Sequence, residues 1–290
     1  MALTYDSLMA CKFPEVSQRL TSWDAIFYAL SVGFGQDPLD LRQLDFVDAH
    51  RRLRAVPTQS VVLGHPGFWM ADPKTGIDPV RVVQGEQRIV MHCALPVEGG
   101  VIGRTRVTGL IDKAAGRGAL MHSQKDVLDA ETGELLATTR STTFLRGDGG
   151  FGVPDSPVEL PHALPDTPPD FVVEMPTRPE QPLYYRLNGD DNPLHADPAV
   201  AAKAGFPRPI LHGLCTLGVV GHAAADTRRL RRRAFQGARH AVLIACLSRR
   251  NDRGRDLEGR FVPRARRRAR GRRRQQRLRR LRGACARVRR

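Results

Sequence analysis

The spacing of hydrophobic residues changes along the chain from a helical pattern to a β pattern. In residues 22–35 the apolar positions follow a helical period, with Ser22 as N-cap and Gly33 and Gly35 as stops, which predicts a helix. After residue 59 apolar and polar residues alternate, as in RIVMHCAL, and this period is typical of half-buried strands. A helix followed by antiparallel strands indicates an α+β domain whose sheet packs on that helix. The predicted strands are 60–64, 88–95, 101–112, 118–129 and 134–147.

A proline-rich segment divides the chain into two parts. Nine prolines and the run GDGGFG lie between residues 147 and 182, which predicts an extended linker with one short strand at 171–175. The first domain therefore spans residues 1–147 and the linker residues 148–182. Residues 183–228 form the start of a second domain, and residues 229–290 are a tail of different composition.

The second domain contains a stretch without a polar face. Residues 211–225, LHGLCTLGVVGHAAA, are apolar on all sides and include Gly213, Gly218 and Gly221. A helix of this kind must be buried, and its small residues let a sheet approach closely. We therefore expect a central helix wrapped by strands.

The two domains begin alike. Residues 27–41 align loosely with residues 184–197, which predicts an internal duplication whose two copies pair within one chain. Asp40 stands where His195 would be, and no acid matches Asp190, so the chemistry belongs to the second copy. The alternative is that two helix starts share common residues.

The positive charge of the chain is confined to its tail. The formal net charge is +16, but residues 228–290 carry 26 Arg, no Lys and three acids, or +23. The remaining residues carry −7, so the body of the protein is acidic. This distribution gives the body no basic surface for nucleic acid.

The cysteines and the N-terminal residues favour a soluble protein of the cytoplasm. The five cysteines are scattered and form no CxxC pair, which argues against a disulfide framework and against a zinc site. The first residues resemble no secretory signal, and no apolar run is long enough to span a membrane. We expect no metal and no cofactor.

The stretch YYRLNGDDNPLH, residues 184–195, concentrates the chemically active side chains. Asp190 and His195 stand five residues apart across an Asn-Pro turn and can hold one water molecule between them. Such a pair can titrate near neutral pH. Asn192 can orient the water, and the amide at the start of the buried helix, Gly213, can donate to a developing oxyanion. Taken alone, Asp190 is more often a turn or cap residue and His195 a core or surface histidine.

At these residues the chain resembles the R-specific 2-enoyl-CoA hydratases, also called hydratase 2 or MaoC-like dehydratases. Their signature is an aromatic residue followed by G-D-x-N-P-x-H, and RPILHG at residues 208–213 resembles their second motif. Asn188 departs from the pattern, in which a small hydroxyl residue is commoner. Residues 67–88 and 146–152 resemble the N-terminal half of double-hotdog members. The signature matches at Tyr185, Gly189, Asp190, Asn192, Pro193 and His195.

The resemblance implies a double hotdog, a long helix wrapped twice by antiparallel sheet, and reversible hydration of trans-2-enoyl-CoA to (R)-3-hydroxyacyl-CoA. It implies that Asp190, His195, Asn192 and the Gly213 amide are catalytic, and we add His212 and Gly189 as substrate-binding residues. The first copy would leave room for the acyl chain. A homodimer is compatible with the fold. One alternative is a hotdog dehydratase or thioesterase acting on carrier-protein or polyketide thioesters.

The tail fits neither this family nor a fold. It has three interpretations: a basic arm for nucleic acid or anionic membrane, a solvated tail, or the product of a shifted reading frame. Arginine runs without lysine are typical of GC-rich DNA read in a wrong frame. With permitted codons, residues 235–253 can be reread as FKGLGMRFSSPVFPGETIV and residues 259–282 as DGSFRARVVAREVVVVNNGFADFA. Both strings alternate like strands, so we predict a frameshift near residues 223–234 and an incomplete second hotdog.

Overall fold

The computed structural model describes residues 3–152 and 175–230. Five strands form one sheet, and six α-helices lie around it together with short 3-10 helices. The α-helices are α1 (Tyr5–Met9), α2 (Ser22–Ser31), α3 (Leu44–Val47), α4 (Gln181–Tyr185), α5 (Pro198–Lys203) and α6 (Gly213–Leu230). The strands are β1 (Val16–Leu20), β2 (Val82–Met91), β3 (Gly99–Asp112), β4 (Ala119–Asp129) and β5 (Leu135–Leu145).

The sheet is antiparallel throughout and its strand order is β1-β3-β4-β5-β2. The predicted strands at 101–112, 118–129 and 134–147 are confirmed as β3, β4 and β5. The sequence missed β1, whose five residues form the edge beside β3. The prediction at 88–95 was displaced, because β2 begins at Val82 and the N–H groups of His92 and Cys93 both donate to the Leu136 carbonyl, which ends regular pairing.

Helix α2 confirms the predicted helix, although its N-cap is Thr21 rather than Ser22. The Asp24 carboxylate accepts hydrogen bonds from the backbone N–H and the hydroxyl of Thr21, so the third helical residue reaches back to the cap. At the other end Gly33 has a φ of 96°, and Phe34 N–H donates to the Ala29 carbonyl. This left-handed glycine stops the helix, as its position in the sequence predicts.

The prediction of a strand at 60–64 was wrong. Residues Pro57–Val61 form a 3-10 helix whose first residue, a proline, cannot donate to a strand ladder. Short apolar runs of this kind do not distinguish a strand from a buried turn of helix. The sheet packs on this 3-10 helix and on α6, and Ile89 of β2 lies in one buried cluster with residues of α2.

A buried lysine holds this segment on the sheet. Lys125 lies on β4 with 5% of its surface exposed, and its Nζ donates to the carbonyls of Val61 at 2.8 Å and Leu63 at 2.5 Å. These carbonyls end the 3-10 helix and are left without helical partners. Burial lowers the pKa of Lys125 from 10.5 to about 7.

Lys125 makes the stability of the fold depend on pH. Between pH 7 and 10.5 the unfolded chain binds a proton that the folded chain does not, so the free energy of unfolding rises with pH. The slope is up to about 1.4 kcal/mol per pH unit, and the destabilisation is complete below pH 7. Urea denaturation in the lower part of this window, before cysteine and tyrosine titrate, measures the slope. Lys125→Met should abolish it and the exposed control Lys74→Met should retain it; equal slopes in all three proteins contradict the assignment.

Helix α6 begins at Gly213, as predicted, and packs against the first copy. A β-carbon on Gly218 would lie 2.4 Å from Cγ1 of Val32, and one on Gly221 would lie 2.7 Å from Cγ2 of Thr58. The glycines therefore admit α2 and the 3-10 helix, where we expected a sheet. Buried residues at this contact form the largest apolar cluster: Tyr28, Ala29, Val32, Phe34, Phe46, Val56, Val61, Val62, Ile89, Tyr185, Cys215, Leu217 and Val219.

The two copies meet at equivalent positions, which supports the predicted duplication. Tyr28 and Tyr185 correspond in the alignment of the copies, and their buried rings lie 6.1 Å apart. Three residues further on in each copy, Asn188 Nδ2 donates to the Ser31 hydroxyl at 3.0 Å. Contacts between like positions are typical of a two-fold axis. The copies therefore pair within one chain.

Some expectations fall on residues that the structure does not describe. These are most of the strand at 171–175, the Arg-rich tail after residue 230 and the remaining strands of a second hotdog. The domain boundaries stay predictions. Among the described helices, none combines the length and the apolar character that a membrane span requires.

Candidate active site

The segment from α4 to residue 195 is a series of tight turns that place polar side chains against α6. Gly189, with a φ of 108°, ends the 3-10 helix of residues 186–188. Pro193 then starts another 3-10 helix, Pro193–His195, whose first amide is capped by Asn192: its Oδ1 accepts from Leu194 N–H at 3.0 Å. The sequence folds locally here because glycine and proline fix the backbone at each turn.

His195 is buried and its tautomer is set by a backbone carbonyl. Its Nδ1 lies 2.8 Å from the Ile210 carbonyl oxygen, which can only accept, so Nδ1 carries the proton. The lone pair of the neutral ring is therefore on Nε2. Burial lowers the pKa of His195, although the Ile210 carbonyl and Asp190 favour the protonated ring. At neutral pH the ring is thus held as a base.

Asp190 is the carboxylate that is electrostatically coupled to His195. Burial raises the pKa of the Asp190 carboxyl, while His195 and a hydrogen bond from the Asn192 N–H oppose this shift. Because the pKa of the acid is raised and the pKa of the base is lowered, the two pKa values move towards each other. The pair can therefore exchange a proton with a bound water at modest cost.

His212 fixes both members of this pair. Its ring stacks on that of His195 with centroids 3.7 Å apart, and its Nε2 lies 3.1 Å from the Asp190 carbonyl oxygen, to which it donates. Burial lowers the pKa of His212 to about 3, so the ring stays neutral. Its Nδ1 is buried without a partner among the described residues.

Gly213 presents the start of α6 beside these groups. The residue is exposed, and no acceptor for its N–H occurs in the described part of the chain; the first amide of α6 that bonds backward is Thr216, to the His212 carbonyl. Unpaired amides and the helix dipole favour negative charge at this end. A ligand oxygen could therefore be held here.

The structure brings Asp190, His195, His212 and Gly213 together, as the sequence predicts. Asn192 uses its Oδ1 as a cap, so orientation of a water by its NH2 group stays a prediction, as does substrate binding by Gly189. Sequence reasoning missed the Ile210 carbonyl, which has no side-chain signature, and the hydrogen bond between Asn188 and Ser31, which are 157 positions apart. The catalytic and substrate-binding roles of all these residues stay predictions.

No group of three or more metal-binding side chains occurs within residues 3–152 and 175–230. Two of the four imidazole nitrogens of the site also have carbonyl partners. His195 Nδ1 and His212 Nε2 both donate to carbonyls, which leaves one ring nitrogen on each.

Two family descriptions match the chain. The MFE-2 hydratase 2 N-terminal domain matches residues 19–147, and the MaoC like domain matches residues 162–240. The 3-hydroxyacyl-thioester dehydratase Y of Mycobacterium tuberculosis is 38% identical over 224 residues, which are 77% of this chain and 76% of that protein. The peroxisomal enoyl-CoA hydratase 2 of Arabidopsis thaliana is 39% identical over 229 residues, 73% of each.

Solved structures agree in fold. The MaoC-like dehydratase of Phytophthora capsici superposes with a TM-score of 0.64 at 29% identity, covering 78% of both chains. The peroxisomal multifunctional enzyme type 2 of Drosophila melanogaster gives a TM-score of 0.62 at 33% identity, covering 75% of this chain and 38% of that one.

The sheet and the central helix have the hotdog fold, and the relatives named as hydratases and dehydratases make the protein a hydro-lyase. Within that class the chain belongs to the MaoC-like dehydratase family, and its N-terminal half is of the hydratase 2 type.

Proposed function

We propose that the chain reversibly hydrates trans-2-enoyl-CoA to (R)-3-hydroxyacyl-CoA. The observation that carries the proposal is the arrangement of Asp190 and His195, both held by His212, next to the unpaired Gly213 amide. Relatives named enoyl-CoA hydratase 2 or enoyl-CoA hydratase match three-quarters of the chain and support this substrate class. The (R) configuration follows from the family alone.

The pair activates water. One O–H of the water donates to the Asp190 carboxylate and the other to Nε2 of His195, the nitrogen that the Ile210 carbonyl leaves unprotonated. The water oxygen bonds to C3 of the enoyl group as the pair takes one proton. That proton then passes to C2, so the elements of one water are added and no net charge changes.

The Gly213 amide stabilises the intermediate. Attack at C3 moves electron density onto the thioester oxygen, and an N–H at the positive end of α6 donates to that oxygen. The helix start is fixed before reaction because α6 packs on the first copy through Gly218 and Gly221. A preorganised donor of this kind needs no rearrangement as charge develops.

The first copy leaves room for the acyl chain. Where the second copy has the 18-residue α6, the first has a 3-10 helix of five residues, and this difference supports a long or bulky acyl group. The substrate test is loss of the enoyl-CoA absorbance on addition of protein, followed by chiral analysis of the 3-hydroxy product. Absence of turnover with enoyl-CoA of any chain length, in a chain whose reading frame has been restored near residues 223–234, would contradict the proposal.

The main rival is a dehydratase or thioesterase of carrier-protein thioesters. The dehydratase Y relative, named for 3-hydroxyacyl thioesters, keeps this alternative open. A thioesterase releases free thiol, whereas a hydratase consumes the double bond and leaves the thioester intact. Release of free thiol and loss of the double bond are both measured with CoA and with carrier-protein substrates. Together they separate the hydratase, the dehydratase and the thioesterase. Cytoplasmic location and homodimer formation stay predictions, which cell fractionation and gel filtration test.

The tail gives a prediction about the chain as it stands. The MaoC like match ends at residue 240, which supports a shifted reading frame before the strands that would cover α6. We expect the full chain to be poorly soluble and weakly active, because a shifted frame would replace the strands that should cover the apolar helix at 211–225. Restoring the frame near residues 223–234 should raise both soluble yield and turnover.

Resequencing the gene is the direct check on this prediction. An unbroken frame without an insertion or deletion, or soluble expression of the present chain with ordinary turnover, would refute it. Under the rival interpretation of the tail as a nucleic-acid arm, salt-dependent binding should vanish on deletion of residues 229–290. The frameshift account predicts no specific binding.

A further inference from the structure

One side chain of the first copy contacts Gly213. A β-carbon on Gly213 would lie 3.4 Å from Cβ and 3.6 Å from Cγ of Gln84, and no other described atom outside the neighbouring chain lies within 4 Å. Gln84 belongs to β2, which is 129 positions away in sequence. Gly213 is thus bordered by a residue of the first copy.

A β-bulge places Gln84 at this position. Gln84 pairs with Thr143 and Glu86 pairs with Thr142, so Gly85 is an extra residue in β2. In a regular strand, residues three apart point to opposite faces. Here Gln84 Nε2 lies 3.4 Å from Gln87 Oε1, so the bulge has turned the two glutamines to the same face.

The Gln84 carboxamide has a fixed orientation. Its Nε2 donates to the Glu86 carbonyl at 2.6 Å, and because a carbonyl can only accept, the amide cannot be reversed. Gln87 Oε1 is held in turn by the Ser141 hydroxyl at 2.6 Å. Gln84 Oε1 has no donor among the described residues and is therefore an acceptor available to a ligand.

We propose that Gln84 is a substrate-binding residue of the same site: its Oε1 accepts a hydrogen bond from the amide N–H of the thioester's arm. The proposal rests on the hydratase function above. In coenzyme A and in carrier proteins that N–H stands two carbons from the thioester sulfur. A thioester carbonyl on the Gly213 amide therefore keeps the N–H close to Gly213, and Gln84 is the side chain of the first copy that borders this residue.

Gln84→Met is the variant that tests this contact. Methionine keeps the stem that packs on Gly213 but removes the acceptor. With an enoyl-CoA substrate we expect KM to rise about threefold to tenfold and kcat to change little, since one neutral hydrogen bond is lost. With an S-ethyl enoyl thioester, which lacks the amide N–H, Gln84→Met should have the same KM and kcat as the unaltered chain.

Gln124→Met is the matched control. Gln124 lies on the opposite face of the same sheet, where it bonds Asp126 and Arg140, and its replacement should leave both substrates unaffected. Thermal denaturation of the variants separates a binding effect from a loss of fold. An unchanged KM in Gln84→Met, or an equal loss with both thioesters, overturns the proposal.

Equilibrium binding makes the test independent of turnover. Binding of a saturated acyl-CoA, measured by calorimetry on the full chain, should be weakened in Gln84→Met by the same factor. If the unaltered chain hydrates enoyl-CoA but the variant binds equally well, only the Gln84 inference fails. If the unaltered chain neither turns over nor binds acyl-CoA, the proposed function fails and the inference fails with it.

Discussion

Replacing Asp190 with Asn lowers kcat for enoyl-CoA hydration by about 10²–10⁴-fold, the range typical of a lost general base. Asn has the size of Asp but cannot take a proton from the water. His195→Gln should cost a similar factor, because the two residues act as a pair, and the double variant should lose little more than either single one. Steady-state rates with one enoyl-CoA substrate measure all three.

The control for this prediction is Asp191→Asn. Asp191 is the exposed neighbour of Asp190 and carries the same charge, so its replacement should leave kcat within a small factor of the unaltered protein. Burial raises the pKa of Asp190, so activity should fall with decreasing pH above the ordinary carboxyl range, and Asp190→Asn should lack this limb. An Asp190→Asn protein with full turnover would exclude the proposed mechanism.

Replacing Gly218 with Ala destabilises the fold by about 1–3 kcal/mol, the usual cost of overpacking a core. The new β-carbon would lie 2.4 Å from Cγ1 of Val32 and 3.1 Å from the Tyr28 hydroxyl oxygen, in the contact between α6 and α2. Neither neighbour is exposed, so the helices must separate. Urea or thermal denaturation shows the loss.

Gly213→Ala is the matched control for helix propensity. Its β-carbon would meet Gln84 at 3.4 Å, an ordinary contact, and alanine favours helices over glycine by about 1 kcal/mol. Stability should therefore stay the same or increase. A Gly218→Ala protein as stable as the Gly213→Ala protein would show that α6 does not pack on the first copy as described.

The strands of the sheet could be predicted because each carries its own period. In β4 and in most of β3 the buried residues fall on every second position, and the three strands β3, β4 and β5 are 11 to 14 residues long, which separates strand from helix. The active-site stretch was equally legible, since Asp190 and His195 stand within six residues and are joined by turns that Gly189 and Pro193 impose.

The errors fall where contacts between distant residues override the local pattern. Residues 60–64 have the composition of a strand, but the segment forms a 3-10 helix whose carbonyls are held by Lys125. Helix α6 contacts β2, as its small residues indicated, but Gly218 also admits α2, which the sequence did not indicate. No window of the sequence contains either pair of residues.

The sequence by itself determined the α+β class and the family, because these depend on periods and motif spacings within short segments; it also predicted the duplication and the residues proposed to perform hydration. Only the tertiary structure decided which nitrogen of His195 is the base, that His212 stacks on it, and that Gln84 of the first copy borders Gly213. Each of these facts is a contact between residues brought together by packing. Such contacts depend on how the two copies and their glycines fit, and that fit exists only in the folded chain.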